Sequence, residues 1–148
     1  MNIRRLLPLA FLPAFALASC EKEELVALTE TPLLETHWML ARVDEFPVEA
    51  SNYSETAKSY LELVDLGKCT VGLGPCNNFS GRFSLGSGGH LSISTQIPTR
   101  ATCPVQELET HYLDNLALTT RYEISGGELR LFDAHTATPR LVFRQAKK

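Results

Sequence analysis

The chain has 148 residues, 44% of them apolar and 21% charged, with a formal net charge of −3. That is enough for one domain with a core of its own, needing neither metal nor many bridges. The mildly acidic balance argues against a nucleic-acid partner and against a polybasic hold on a membrane surface.

Arg4 and Arg5 open a segment in which Leu6 to Ala18 is almost wholly apolar and small residues precede Cys20. This is the order of a secretory signal, here residues 1–19, and the apolar run is shorter than the roughly 20 residues that span a bilayer. Cleavage after it removes both arginines and takes the charge from −3 to −5. Glu21 to Asp65 carries eleven acidic and three basic residues, whereas Leu66 to Lys148 carries six and nine. Residues 20–36 are expected to form an acidic tether, and 37–148 the folded domain.

Order is expected to begin near His37, with Trp38 to Val43 as a first strand anchored by the tryptophan. Asp44 to Ser59 has no clean period and reads as a long loop. Tyr60 to Leu66 and Cys69 to Leu73 flank Gly67-Lys68, the signal of a two-residue hairpin turn. In the second of these runs Cys69, Val71 and Leu73 share one face, which predicts that Cys69 is buried. Asn78 to Leu85 and Leu91 to Ile97 flank the glycine-rich turn Gly86 to Gly89. A helix follows Pro98, with Pro104 at its first position, Cys103 or Thr102 as cap, and Glu107 and Glu109 near its positive end. Val105, Leu108, Tyr112 and Leu116 recur at helical spacing and should face the sheet. Arg121 to Ser125 and Glu128 to Asp133 flank Gly126-Gly127, a strong hairpin signal, and Arg140 to Arg144 alternates as a last strand. The pattern predicts an α+β domain: an antiparallel sheet with one main helix packed against it.

Two stretches carry resemblances. Leu17-Ala18-Ser19-Cys20 resembles the lipobox of bacterial lipoproteins, which implies acylation of Cys20 and anchoring to membrane lipid on the periplasmic side of the envelope, and Glu21, rather than Asp, after that cysteine resembles lipoproteins sorted to the outer membrane. Gly74-Pro75-Cys76-Asn77-Asn78-Phe79-Ser80-Gly81-Arg82-Phe83, followed by Thr99-Arg100-Ala101-Thr102-Cys103, resembles the META domain of the HslJ-like heat-shock lipoproteins. Trp38-Met39-Leu40 is similar to the family's opening W-x-L, and Glu109 to Leu131 to its helix, hairpin and Leu-x-Leu strand. The likeness covers His37 to Arg144, with Pro75 and Thr102 standing where the family commonly has Gly and Ala. It implies a sheet of META type, partly barrel-like.

Export to an oxidising compartment makes Cys69, Cys76 and Cys103 bridge candidates. Cys76 closes one strand and Cys103 begins the helix, so a bridge between them would staple helix to sheet across 26 intervening residues. Such a staple is worth about 3 to 4 kcal/mol by the chain-entropy model. Cys76 with Cys103 is the favoured pair, with Cys69 reduced; Cys69 with Cys76 and Cys69 with Cys103 remain open. Asn77, Asn78 and Arg100 flank the two cysteines and are candidates for contact with a carboxylate or a peptide backbone. Their polar groups are equally suited to making the turns themselves.

Metal-ligand spacing and cofactor motifs are missing: no C-x-x-C, H-E-x-x-H, P-loop or dinucleotide fingerprint occurs, and no cofactor is expected. No G-x-S-x-G elbow is present. The expected function is a non-enzymatic binding or interaction module in the cell envelope, with a membrane anchor, an envelope protein as partner and, from the resemblance, a setting in stress tolerance. The alternative is a small periplasmic hydrolase or thiol enzyme built on Cys69 with His90 or His111.

Overall fold

Apolar residues at every second position set the sheet. In β3 (Tyr60–Val64) Leu61 and Leu63 are fully buried, while Tyr60, Glu62 and Val64 are only partly covered. The computed structural model describes residues 31–48 and 58–146. Its other strands are β1 (Trp38–Val43), β2 (Phe46–Pro47), β4 (Cys69–Leu73), β5 (Asn78–Leu85), β6 (Leu91–Ile93), β7 (Ile97–Pro98), β8 (Arg121–Ser125), β9 (Glu128–Phe132) and β10 (Leu141–Gln145). The helix α1 spans Gln106–Ala117.

The strands follow the order β6-β5-β4-β3-β1-β10-β9-β8, with β2 added to β1 and β7 to β5. Every strand pairing among the described residues is antiparallel, as expected from tight connections. The two ends of this path meet. Leu91 N–H donates to Thr120 O at 3.1 Å and Tyr122 N–H to Gly89 O at 2.9 Å, so β6 lies against β8 and the sheet is nearly closed. Inside sit Trp38, Leu61, Leu63, Phe83, Leu91, Leu129, Leu131, Leu141 and Phe143, and α1 adds Tyr112 and Leu116 to the same cluster. Tyr112 packs edge-on to Phe79, with centroids 5.6 Å apart, and tilted to Phe143 at 6.2 Å. An antiparallel, barrel-like sheet with one helix against it is therefore the fold.

Several local expectations need correction. The packed chain starts before His37: Leu33 is buried, its carbonyl accepts from Trp38 Nε1 at 3.0 Å, and Thr31 reaches Gln145. An indole N–H inside a core needs an acceptor, and the preceding turn supplies it. The rest of the expected tether, residues 20–30, and the signal lie outside the described residues. The loop after Val43 contains β2, folded back on β1, whose register shifts between Leu40 and Arg42. The β3–β4 connection is a four-residue turn, since Val64 pairs with Cys69, and Gly67 and Lys68 both take positive φ. The run after Leu91 breaks into β6 and β7.

The helix begins at Gln106 with Val105 at its cap and no side-chain cap, later than Pro104. Cys103 is held at the sheet by a disulfide, so the chain cannot enter the helix until it has left that bond. In β4 the inward residues are Thr70 and Gly72, not Cys69, Val71 and Leu73. Phe79 fills the space over Gly72, where a Cβ would lie 2.4 Å from its ring, and Thr70 Oγ1 donates to Gln96 Oε1 at 2.6 Å. Cys69 is a free, partly exposed thiol, not a buried one.

Candidate functional site

The disulfide joins Cys76 to Cys103 with Cα atoms 5.8 Å apart. It brings the turn before β5 against the segment that enters α1, and a buried polar hub fills the join. Glu109 is 1% exposed. Its Oε2 accepts from Cys76 N–H at 2.6 Å and Asn77 N–H at 2.7 Å, and its Oε1 accepts from Asn77 Nδ2 at 2.7 Å. Asn77 is 3% exposed. Its Nδ2 also donates to Ala101 O at 3.0 Å, while its Oδ1 accepts from Ala101 N–H at 2.7 Å and Thr99 Oγ1 at 3.0 Å. The amide has used both hydrogens and both lone pairs within the fold.

The three candidate contact residues therefore part company. Asn77 points inward and ties sheet, loop and helix together. Asn78 opens β5, is exposed, and pairs with Leu73; Arg100 lies exposed on the following loop. Glu109 was expected near the helix start as a dipole partner, but it is the hub's anion. Its position three before Tyr112 and seven before Leu116, on the stripe that faces the sheet, is the signal that marks it as inward.

A second polar chain fastens the other end of the helix. Asn115 Nδ2 donates to Asp44 Oδ2 at 2.9 Å, Arg140 Nη1 reaches Asp44 Oδ1 at 3.1 Å, and Arg140 Nε reaches Asp133 Oδ2 at 2.9 Å. Asp133 Oδ1 accepts from His135 N–H at 2.9 Å and from Thr136 N–H at 2.7 Å. The His135 N–H first, then the Arg140 guanidinium and Thr136, hold this carboxyl far below the usual carboxylate range. Asp133 and Asp44 in turn raise the Arg140 pKa. No single residue in this set carries a sequence motif, because the residues come from the turn after β1, from α1 and from the β9–β10 loop.

Among the described residues, two of the open surface grooves have volumes of about 500 Å³ or more. One, of about 500 Å³, runs between α1 and β7 past Gln96, Pro98, Glu109, Leu113 and Leu118. The other, of about 580 Å³, lies outside β1, β9 and β10 along Arg42, Pro47, Arg130, Val142 and Arg144. Their charged groups are largely committed: Glu109 to the hub, Arg130 to Glu128 at 2.8 Å, and Arg42 to Asp44 O at 2.6 Å. Among the described residues no group of three or more His, Cys, Asp and Glu could hold a metal.

The outer face of β3, β4 and β5 is different. Registers Tyr60–Leu73–Asn78, Glu62–Val71–Ser80 and Val64–Cys69–Arg82 run across the three strands, all on the side away from the core. Val64, Val71 and Leu73 are partly exposed there, Ile97 of β7 extends the middle row at 75% exposure, and Met39 of β1 extends the first. His37 flanks the patch, stacked on Tyr60 with centroids 4.0 Å apart and 3.6 Å from Glu62. An apolar strip rimmed by Glu62, Asn78, Ser80 and Arg82 has the composition of an interaction surface. Arg100 follows Thr99, whose N–H donates to Asn78 O at 2.8 Å, so Asn78 and Arg100 stand at the rim of this strip. The strand edges offer less: Thr99 bonds inward to Asn78, so the alternation of the ladder turns Pro98, which has no N–H, toward the open side of β7.

The comparisons agree with this architecture. An NMR structure of a protein from Burkholderia xenovorans matches with a TM-score of 0.62 and 23% identity, over 78% of this chain and 85% of that one. A second NMR structure matches at 0.55 and 24%, over 74% and 87%. At this identity the likeness is one of fold. None of the curated proteins compared with the chain matches it. The model of the META domain matches residues 31–148, which include every strand and the helix described above, so this chain belongs to the META domain family.

Proposed function

We propose that the chain is a non-enzymatic interaction module, held at the periplasmic side of the outer membrane by acylation of Cys20, and that it binds an envelope protein through the outer face of β3, β4 and β5. One observation carries the binding reading. Where an antiparallel sheet faces water its outward positions are normally polar, yet here Val64, Val71 and Leu73 point outward together and are joined by Ile97. The hub of Cys76, Cys103, Asn77 and Glu109 supports the same reading, because it makes rigid the loop that carries Arg100 and the strand end that carries Asn78. An arginine beside an amide at the edge of an apolar strip can take a carboxylate or a peptide carbonyl as the strip takes side chains. The lipobox resemblance supports the anchor, and the family resemblance supports stress tolerance as the setting.

The test is capture from the native envelope with tagged full-length protein. Cys20→Ser should lose lipid labelling and membrane retention. Val71→Lys and Arg100→Ala should lose the captured partner while keeping the wild-type melting temperature within about 2 °C, as surface changes do. Unchanged membrane retention of Cys20→Ser overturns the anchor. Full capture by Val71→Lys overturns the surface, and a fall in stability with capture intact makes Arg100 a structural residue.

A further inference from the structure

The outer face of β3, β4 and β5 is complementary to itself. We infer that its occupant is a second copy of this chain, packed face to face about a two-fold axis parallel to β4. This rests on the reading of that face as an interaction surface and names the partner it takes.

The argument follows from the registers. A two-fold axis along β4 leaves β4 opposite β4 and exchanges β3 with β5. In the first row Leu73 then meets Leu73 of the other copy, and Tyr60 meets Asn78, a phenol against an amide. In the second row Val71 meets Val71, and Glu62 meets Ser80, a carboxylate against a hydroxyl donor. In the third Cys69 meets Cys69, and Val64 lies against the stem of Arg82, whose Nη1 donates to Gly67 O of its own chain at 3.3 Å. Apolar residues sit on the axis and donors meet acceptors on both sides of it. Glu62 and Arg82 occupy the two strands that the axis exchanges, so neither meets its own like charge. An isologous contact demands this arrangement. An axis through β3 or β5 would place Glu62 against Glu62 or Arg82 against Arg82.

Because the outside of a nearly closed sheet is convex, contact concentrates along β4 and thins over β3 and β5. That places the pair among weak interfaces, those burying under about 1,200 Å². Two copies anchored in one membrane would meet at a local concentration that favours such a contact.

Cys69 reports the contact without being part of its energetics, since the axis places the two thiols together. In envelopes carrying the full-length chain, diamide should convert the pair to a Cys69–Cys69 disulfide, the reagent taking up the two hydrogens as the S–S bond forms. The dimer band should appear at least tenfold faster than in a Cys69→Ser, Thr110→Cys control, whose thiol is on the exposed side of α1. Val71→Lys alone and Val71→Glu alone should each slow it about tenfold, as like charges meet on the axis; tenfold corresponds to about 1.4 kcal/mol. Co-expression of the two under different tags should restore cross-linking between them. Sedimentation of the Cys69→Ser protein in detergent should show a concentration-dependent dimer that Val71→Lys abolishes. A mixed pair that cross-links no better than either variant alone, or a control thiol that matches Cys69, overturns the inference. Loss of a captured envelope protein in Val71→Lys without any homodimer would overturn self-association and leave the interaction surface standing. Loss of neither would overturn both.

Discussion

Glu109→Gln separates two opposing effects at the hub. A buried carboxylate is costly to desolvate, and replacing a buried charge by a neutral group is sometimes stabilising. Here the carboxylate accepts three N–H bonds, from Cys76 N, Asn77 N and Asn77 Nδ2, all at 2.6–2.7 Å. In glutamine one oxygen can keep both backbone donors at the Oε2 position. The amide nitrogen then faces Asn77 Nδ2, donor against donor. Turning the Asn77 amide over relieves that contact but sets its nitrogen against Ala101 N–H and its oxygen against Ala101 O. At least one buried donor stays unpaired in either arrangement, at about 1 to 3 kcal/mol, and two bonds lose the strength that a charged acceptor gives, at about 1 kcal/mol each. Relief of the desolvated charge offsets part of this, which leaves a net loss of about 2 to 4 kcal/mol. For a domain of this size, 1 kcal/mol moves the melting temperature by roughly 4 °C. Glu109→Gln should therefore melt about 8 to 16 °C below wild type by far-ultraviolet circular dichroism at pH 7, with the Cys76–Cys103 bond intact by mass, and Glu109→Ala lower still. A glutamine variant as stable as wild type would show that desolvation dominates and that the hub adds specificity without stability.

The disulfide fastens the same turn, so reducing it should cost about 3 to 4 kcal/mol by the loop-entropy estimate. In urea unfolding the loss should combine with Glu109→Gln to less than the sum, because each leaves the turn partly freed for the other; strict additivity would place them in independent units. Asp133→Asn should be less stable than wild type at pH 7. The folded pKa of Asp133 is depressed, so its stabilisation is fully present above the ordinary carboxylate value near 3.9 and is lost as pH falls toward the folded value. The gap between the two proteins should thus be constant from pH 7 to about 5 and narrow below about 4; a gap that widens on acidification would reverse the sign of the argument.

Much of the sheet was legible because strands and turns carry local signals. Cys69 to Leu73 and Asn78 to Leu85 have the expected bounds, and Gly126-Gly127, both at positive φ, makes the expected two-residue turn. The Cys76–Cys103 pair was the favoured of three. The helix start was not legible, since it is set by a covalent bond made at a distance. Nor was the inward turn of Asn77, which depends on a carboxylate 32 positions away. The set Asn115, Asp44, Arg140 and Asp133 left no trace in the sequence, because polar groups that meet only after folding share no spacing.

The inverted face of β4 follows from the same physics and bears on function. Hydrophobicity assigns Cys69, Val71 and Leu73 to the core and Thr70 and Gly72 to water, and a strand that served only to bury itself would obey. Thr70 can be buried because Gln96 takes its hydroxyl, and Gly72 is buried because Phe79 needs the space above it. Core packing thus requires a small and a short polar residue inside, but it does not require valine and leucine outside. Any polar residue of good strand propensity would serve there. The outward Val71 and Leu73 are therefore unexplained by folding within one copy, and a surface that covers them explains both their identity and the polar rim around them.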